Sequence, residues 1–143
     1  LARLNLEHLV TEVLDFKLFL PAACQGAVGV QALKSSNVLD TFSSINNIQT
    51  QMECMAERRV LKNINANCNS PVSIYSKIIQ DKITLEFEMF DHQGNKIFKK
   101  SLADEKQKYL NLSDKLSEEI VSNLGQEKID ELDKLKNDFD YTP

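Results

Sequence analysis

The chain has 143 residues, 42% of them hydrophobic, with a formal charge of −4. That is enough for one compact core, or for a small domain plus part of another, and it is neither a disordered nor a fibrous composition. The acidic balance, heaviest beyond residue 101, argues against a nucleic-acid partner. Cys24, Cys54 and Cys68 are an odd set without CxxC spacing, and only His8 and His92 could join them, so neither a metal site nor a disulfide framework is expected. Charged residues from Arg3 to Lys17 interrupt the opening stretch, which rules out the apolar region of a signal peptide. No run approaches the ~18 apolar residues of a membrane span. A cytoplasmic, reducing setting is therefore expected. There is no initiator Met, and Leu1 lies inside an amphipathic pattern, which predicts a piece of something longer.

From Asn5 to Leu14 the apolar residues recur at helical spacing, predicting the end of a helix. Residues Phe16 to Val30 form an apolar run broken by Pro21, Gly26 and Gly29. That favours an extended, strand-like segment normally buried on both faces, with few strands here to join. Ser36 or Asn37 is placed to cap a short helix carrying Val38, Leu39, Phe42 and Ile45. A longer helix spans about Ile48 to Ile64 and stops in Asn65-Ala66-Asn67, where asparagine tolerates left-handed backbone. Three strands come next, over 72–79, 83–90 and 96–101. They are joined by turns at Gln80-Asp81 and at 91–95, which makes an antiparallel meander. A helix with Tyr109, Leu112, Leu116, Ile120 and Leu124 on one face ends at Gly125. A last helix turns Ile129, Leu132 and Leu135 inward, and the run from Asp130 to Asp140 reads as a solvated face. The fold class is α+β, with helices covering one face of a small antiparallel sheet.

Cys68 follows the long helix and precedes Pro71, which fits the first position of a strand. A thiol there is a soft nucleophile, and Arg58, Arg59 and Lys62 could favour its thiolate if any of them turns toward it. On spacing alone, a small buried hydrophobe is the plainer reading. The histidines pair with no carboxylate and nucleophile, so a hydrolase triad has no support. Met52, Cys54 and Met55 read as helix core or filler rather than ligands, and Arg58, beside Glu57, as a packing or ion-pair residue.

Two segments, Glu57 to Pro71 and Leu20 to Val30 with its Gln25-Gly26-Ala27-Val28-Gly29, resemble the C-terminal part of the porphobilinogen deaminase (hydroxymethylbilane synthase) family. The resemblance runs from about Leu1 to Leu135. It implies that Cys68 carries the dipyrromethane cofactor through a thioether, a tether that resists hydrolysis while an oligopyrrole grows on it. Gln25 then lines the cofactor cleft, and Gly26 lets the main chain come close to a ring. Arg3, matched by its separation from Gln25, binds pyrrole carboxylates, which suit a bidentate guanidinium. The sequence departs from the family at Ala66, where glycine is usual, at Asn67 and Ser70, and at Leu33, where a basic residue falls.

The resemblance further implies two parts. Residues 1–46 hold the end of the second domain and the segment returning to the first, and residues 47–143 hold the cofactor-carrying C-terminal domain. The full-length parent would condense four porphobilinogens, with loss of ammonia, in heme biosynthesis. The family's catalytic aspartate has no match here, so no catalytic residue is assigned and these 143 residues alone are expected to be inactive. Self-association through residues 16–30, or poor packing of that stretch, is expected. The competing reading is a non-enzymatic binding or assembly module whose cysteine is incidental.

Overall fold

A computed structural model describes residues 1–67, 70–91, 93–125, 127–129 and 131. Period-two alternation builds the sheet: β1 (Val72–Ile79), β2 (Lys82–Phe90) and β3 (Lys96–Glu105) pair antiparallel in the order β1-β2-β3. The register sets Ile74 against Phe87, Ile78 against Ile83, Leu85 against Leu102 and Met89 against Phe98, so the apolar side chains share one face. Gln80 makes the first turn with a left-handed φ of 57°. In the second turn the Asp91 carboxylate accepts the amides of Gln93 and Asn95 at 2.9 and 2.8 Å. β3 continues to Glu105, past the expected end at Ser101. Leu102 to Glu105 have little strand preference of their own, but they lie opposite Lys82 to Leu85, which hold them in the ladder.

Helices α1 (Leu39–Ile45), α2 (Ile48–Asn63) and α3 (Tyr109–Leu124) follow the helical periodicity. Asn47 caps α2 by accepting the Thr50 amide at 3.0 Å. At the other end Asn65 takes a left-handed φ of 56°, and the Ala66 amide returns to the Leu61 carbonyl at 2.8 Å. Helix α3 stops at Gly125, whose φ of 77° suits glycine. Ala56 and Val60 of α2, Ile64 at its C-terminal cap, and Leu112, Leu116 and Ile120 of α3 close over Ile74, Ile83, Leu85, Phe87 and Met89 in one core, which Ile129 joins. Between the helices stand the small side chains Ser113 and Ser117. Their hydroxyls donate to the carbonyls of Ala56 (2.9 Å) and Ser113 (2.8 Å), so close approach leaves no buried hydroxyl unmet. The α+β architecture with helices on one sheet face is thus the observed one.

The free edge of β1 is closed by hydrogen bonds from outside the sheet. Its outward amides at Ile74, Ser76 and Ile78 donate in turn to the Pro21 carbonyl (3.2 Å), the Glu57 carboxylate (2.7 Å) and the Glu53 carboxylate (2.7 Å). Gln49 donates to the Ile78 carbonyl at 3.0 Å. The last two acids and Gln49 all come from α2.

Residues 1–46 depart from expectation. The helix expected over 5–14 is replaced by two short 3-10 turns, Ala2–Leu4 and Glu7–Leu9. Ten residues make a marginal helix without a surface to pack on, and Leu4, Leu9, Val13 and Leu14 are exposed. Phe16 to Val30 joins no sheet: it gives the β1 edge only the Pro21 carbonyl, and the next outward amides, Ser76 and Ile78, are held by carboxylates of α2. Only Leu20 is buried there, Phe16 touches Tyr75 at 5.0 Å between ring centroids, and Val28 is 91% exposed. Helix α1 begins one residue later than expected, with Val38 at its cap position. Cys68, His92, Leu132, Leu135 and most of the Asp130–Asp140 run lie outside the described residues.

Candidate functional site

The chain on either side of position 68 is tightly tied. The Ser70 amide donates to the Asn67 carbonyl at 3.1 Å, and the Asn67 amide donates to the Ser70 hydroxyl at 2.9 Å. Pro71 then leads into β1, its carbonyl accepting the Phe90 amide at 2.9 Å. The left-handed step after α2 falls on Asn65, and Ala66 needs no positive φ. The departure from glycine at Ala66 therefore costs this backbone nothing.

Asn67 and Ser70 border a cleft of about 880 Å³. Its lining is partly apolar, with Ala22 and Ala23 from the turn after Pro21, Leu61 from α2, Val72 from β1 and Leu110 from α3. The same lining carries Arg58, Arg59 and Lys62 of α2. Arg59 is committed elsewhere. It grips Asp114 of α3 through two contacts of 2.7 and 3.0 Å, and Asn63 adds a third to the same carboxylate at 2.7 Å. These bonds from Arg59 and Asn63 hold the Asp114 carboxyl below its usual range. Arg58 and Lys62 make no ion pair among the described residues, so they leave cationic heads for the cleft. Of the two readings of Arg58, packing or ion pairing, no ion pair forms among the described residues; the paired arginine is its neighbour Arg59.

Glu57 is occupied differently. It is 5% exposed, and one oxygen accepts the amide and hydroxyl of Ser76 (2.7 and 2.8 Å) while the other accepts the Cys24 amide at 2.6 Å. It fixes the turn after Pro21 against α2 and β1. A sequence signal existed: Glu53 and Glu57 stand four apart, in line with Val60 and Ile64 on the buried face of α2.

That turn carries the other expected residues. Gln25 is exposed, its amide donating to Ala22 at 3.2 Å, and Gly26 has φ 81° with open space around it. Both follow Cys24, which lines the cleft. Arg3 lies exposed in the first 3-10 turn and does not line the cleft. Among the described residues there is no cluster of metal-binding side chains, and no helix is long and apolar enough to cross a membrane.

A family model described as "Porphobilinogen deaminase, C-terminal domain" matches residues 51–122. The chain belongs to the porphobilinogen deaminase family. The matched stretch holds most of α2, the cleft's cations, position 68, the whole sheet and most of α3. Curated porphobilinogen deaminases agree. That of Clostridium kluyveri is 37% identical over 120 residues, 84% of this chain and 41% of the relative. That of Clostridium beijerinckii is 32% identical over 121 residues, 85% and 41% respectively. One from Clostridium botulinum is 31% identical over 123 residues, 86% and 42%. The chain thus spans about two fifths of the length of these relatives.

Proposed function

We propose that this chain forms the C-terminal part of a porphobilinogen deaminase, a cytoplasmic transferase. The enzyme condenses four porphobilinogens into hydroxymethylbilane, with loss of ammonia, in tetrapyrrole and heme biosynthesis. Cys68 is the attachment point of a dipyrromethane cofactor through a thioether. Residues 47–143 are the cofactor-carrying domain, and residues 1–46 are the end of the second domain with the segment returning to the first.

The observation that carries this reading is the cleft beside Asn67 and Ser70. Its apolar lining residues suit a flat pyrrole ring, and Arg58 and Lys62 suit the acetate and propionate groups that such rings bear. The residues present therefore fit the cofactor. When bound, it supplies the primer on which the product is assembled. The chain's own contribution is positional. The reciprocal Asn67–Ser70 bonds hold the chain on either side of position 68, and α2 presents cations to carboxylates. Gln25, Gly26 and Arg3 are assigned to the cofactor's surroundings. Gln25 and Gly26 sit in the turn that Glu57 fixes.

Proton delivery to the leaving amine and stabilisation of a cationic pyrrole need an acid and a carboxylate in the same site. In this reading they come from the portion of the relatives that the chain does not span. These 143 residues alone are accordingly inactive and self-associate through residues 16–30, where sedimentation velocity should show concentration-dependent dimers or larger species. The decisive experiment is mass spectrometry of the full-length parent. A two-pyrrole increment on the peptide bearing Cys68, lost in Cys68→Ser, is expected; an unmodified thiol in active protein overturns the assignment and favours the incidental-cysteine reading.

A further inference from the structure

A second sulfur site lies on the other side of the 21–27 turn. Cys24 belongs to that turn and Cys54 to α2, thirty residues apart in sequence. The Cys24 thiol donates to the Cys54 carbonyl oxygen at 3.6 Å, which brings the Cys24 sulfur against the residue that bears the second thiol. Neither half of the contact is left to chance. The Glu57 carboxylate holds the Cys24 amide, the Pro21 carbonyl is tied to Ile74, and Cys24 itself is kept at a left-handed φ of 57°. Both cysteines are partly exposed and border one open cleft of about 700 Å³, so a small reagent can reach them. Cys68 takes no part in the argument.

We propose that Cys24 and Cys54 form an oxidisable dithiol site, which a low-molecular-weight disulfide such as oxidised glutathione converts to an intramolecular disulfide stapling the 21–27 turn to α2. In the first step one protein thiolate attacks a glutathione sulfur, the glutathione S–S bond breaks, and one glutathione leaves as thiolate. In the second, the other protein thiolate attacks the mixed disulfide, forms the Cys24–Cys54 bond and expels the second glutathione. The protein pair loses two electrons and two protons, and the oxidant becomes two thiols. Burial first, then Cys54 and Glu57, pushes the Cys24 thiol up to about 12 against the opposing pull of Arg58. At neutral pH Cys24 therefore rests as a thiol, and closure should quicken as pH rises. The charged groups acting on it, Glu57 and Arg58, both belong to α2.

The test is a disulfide map of the chain treated with oxidised glutathione at about pH 8, and in parallel with the stronger oxidant diamide, then acid-quenched, alkylated and digested with trypsin. Cleavage after Lys17, Lys34 and Arg58 separates the two cysteines into peptides 18–34 and 35–58, with Cys68 on a third. The expected result is a linked 18–34/35–58 species lighter than the sum of its parts by two hydrogens. The link should be absent in Cys54→Ser and lose its preference in strong denaturant. Amides 22–27 of the oxidised chain should also exchange more slowly. Recovery of Cys24 and Cys54 on separate peptides after both oxidants, or a dominant link to Cys68, overturns the proposal. Neither result bears on cofactor attachment, which is read from the Cys68 peptide of the full-length parent.

Discussion

Residues 1–46 and residues 47–125 use apolar side chains of the same kinds to opposite ends. In the second region Phe87, Ile83, Leu85, Met89, Leu116 and Ile120 are buried completely against one another. In the first, Leu4, Val13, Leu18, Phe19 and Val28 stand in water, and only Leu20 is buried. The difference is supply of surface rather than hydrophobicity. The meander and its two helices complete one another, whereas the opening segment is held at the β1 edge, at Cys24 against α2 and, at Phe16, against one ring of the sheet. An amphipathic pattern states which face seeks burial; a neighbour must still provide the partner.

The contrast can be broken most directly in the core. Phe87→Ala should cost about 3–5 kcal/mol in urea unfolding, or abolish the cooperative transition, because its cavity sits between sheet and helices. A loss below about 1 kcal/mol would mean that the second region is not the rigid one. The seam between the regions is the next largest effect. Glu57→Gln leaves one of the Ser76 and Cys24 donors facing an amide nitrogen and should cost about 1–3 kcal/mol. Faster amide exchange at Cys24 and Ile74 should accompany it; unchanged exchange there would show that the turn is held by other contacts.

Acid sensitivity gives a smaller effect confined to the second region. Burial pushes Glu88 up, but its bonds to Lys96 and Lys99 outweigh that and leave it lowered, as Arg59 and Asn63 leave Asp114. A carboxyl lowered in the folded state adds stability that is fully present above its unfolded pKa and is lost as pH falls through the folded one. Stability should therefore decline on the acid side of the ordinary carboxylate range, with a shallower decline in Asp114→Asn; an unchanged acid slope would remove Asp114 from the account. The smallest effect belongs to the opening segment. Leu18→Ala should move stability by no more than about 0.5 kcal/mol, and a loss near that of Phe87→Ala would erase the distinction between the regions.

Alternation of Ile83, Leu85, Phe87 and Met89, the stop at Gly125 and the turn at Gln80-Asp81 made the sheet and α3 readable in advance, because each depends on neighbours close in sequence. The carboxylate seal of β1 was not readable, since it requires knowing which strand lies beside α2. Residues 5–14 were misread as a helix for the reason just given: period alone cannot supply a packing partner. At the candidate site, the presence of α2's cations beside position 68 was legible from local sequence. The commitment of Arg59 to Asp114 and the meeting of Cys24 with Cys54 are long-range contacts that spacing does not encode. Cys68 acquired its assignment through family resemblance, and the chain around it supplies the setting.

The closed margin of β1 has a consequence for how this sheet can grow. An incoming strand gains its hold from unpaired main-chain donors, and on that flank they are already engaged by Pro21, Glu57 and Glu53. Fibril-like stacking on that flank would first require the helix bearing the two acids to peel away, so the sheet's width is capped there as long as that helix remains docked.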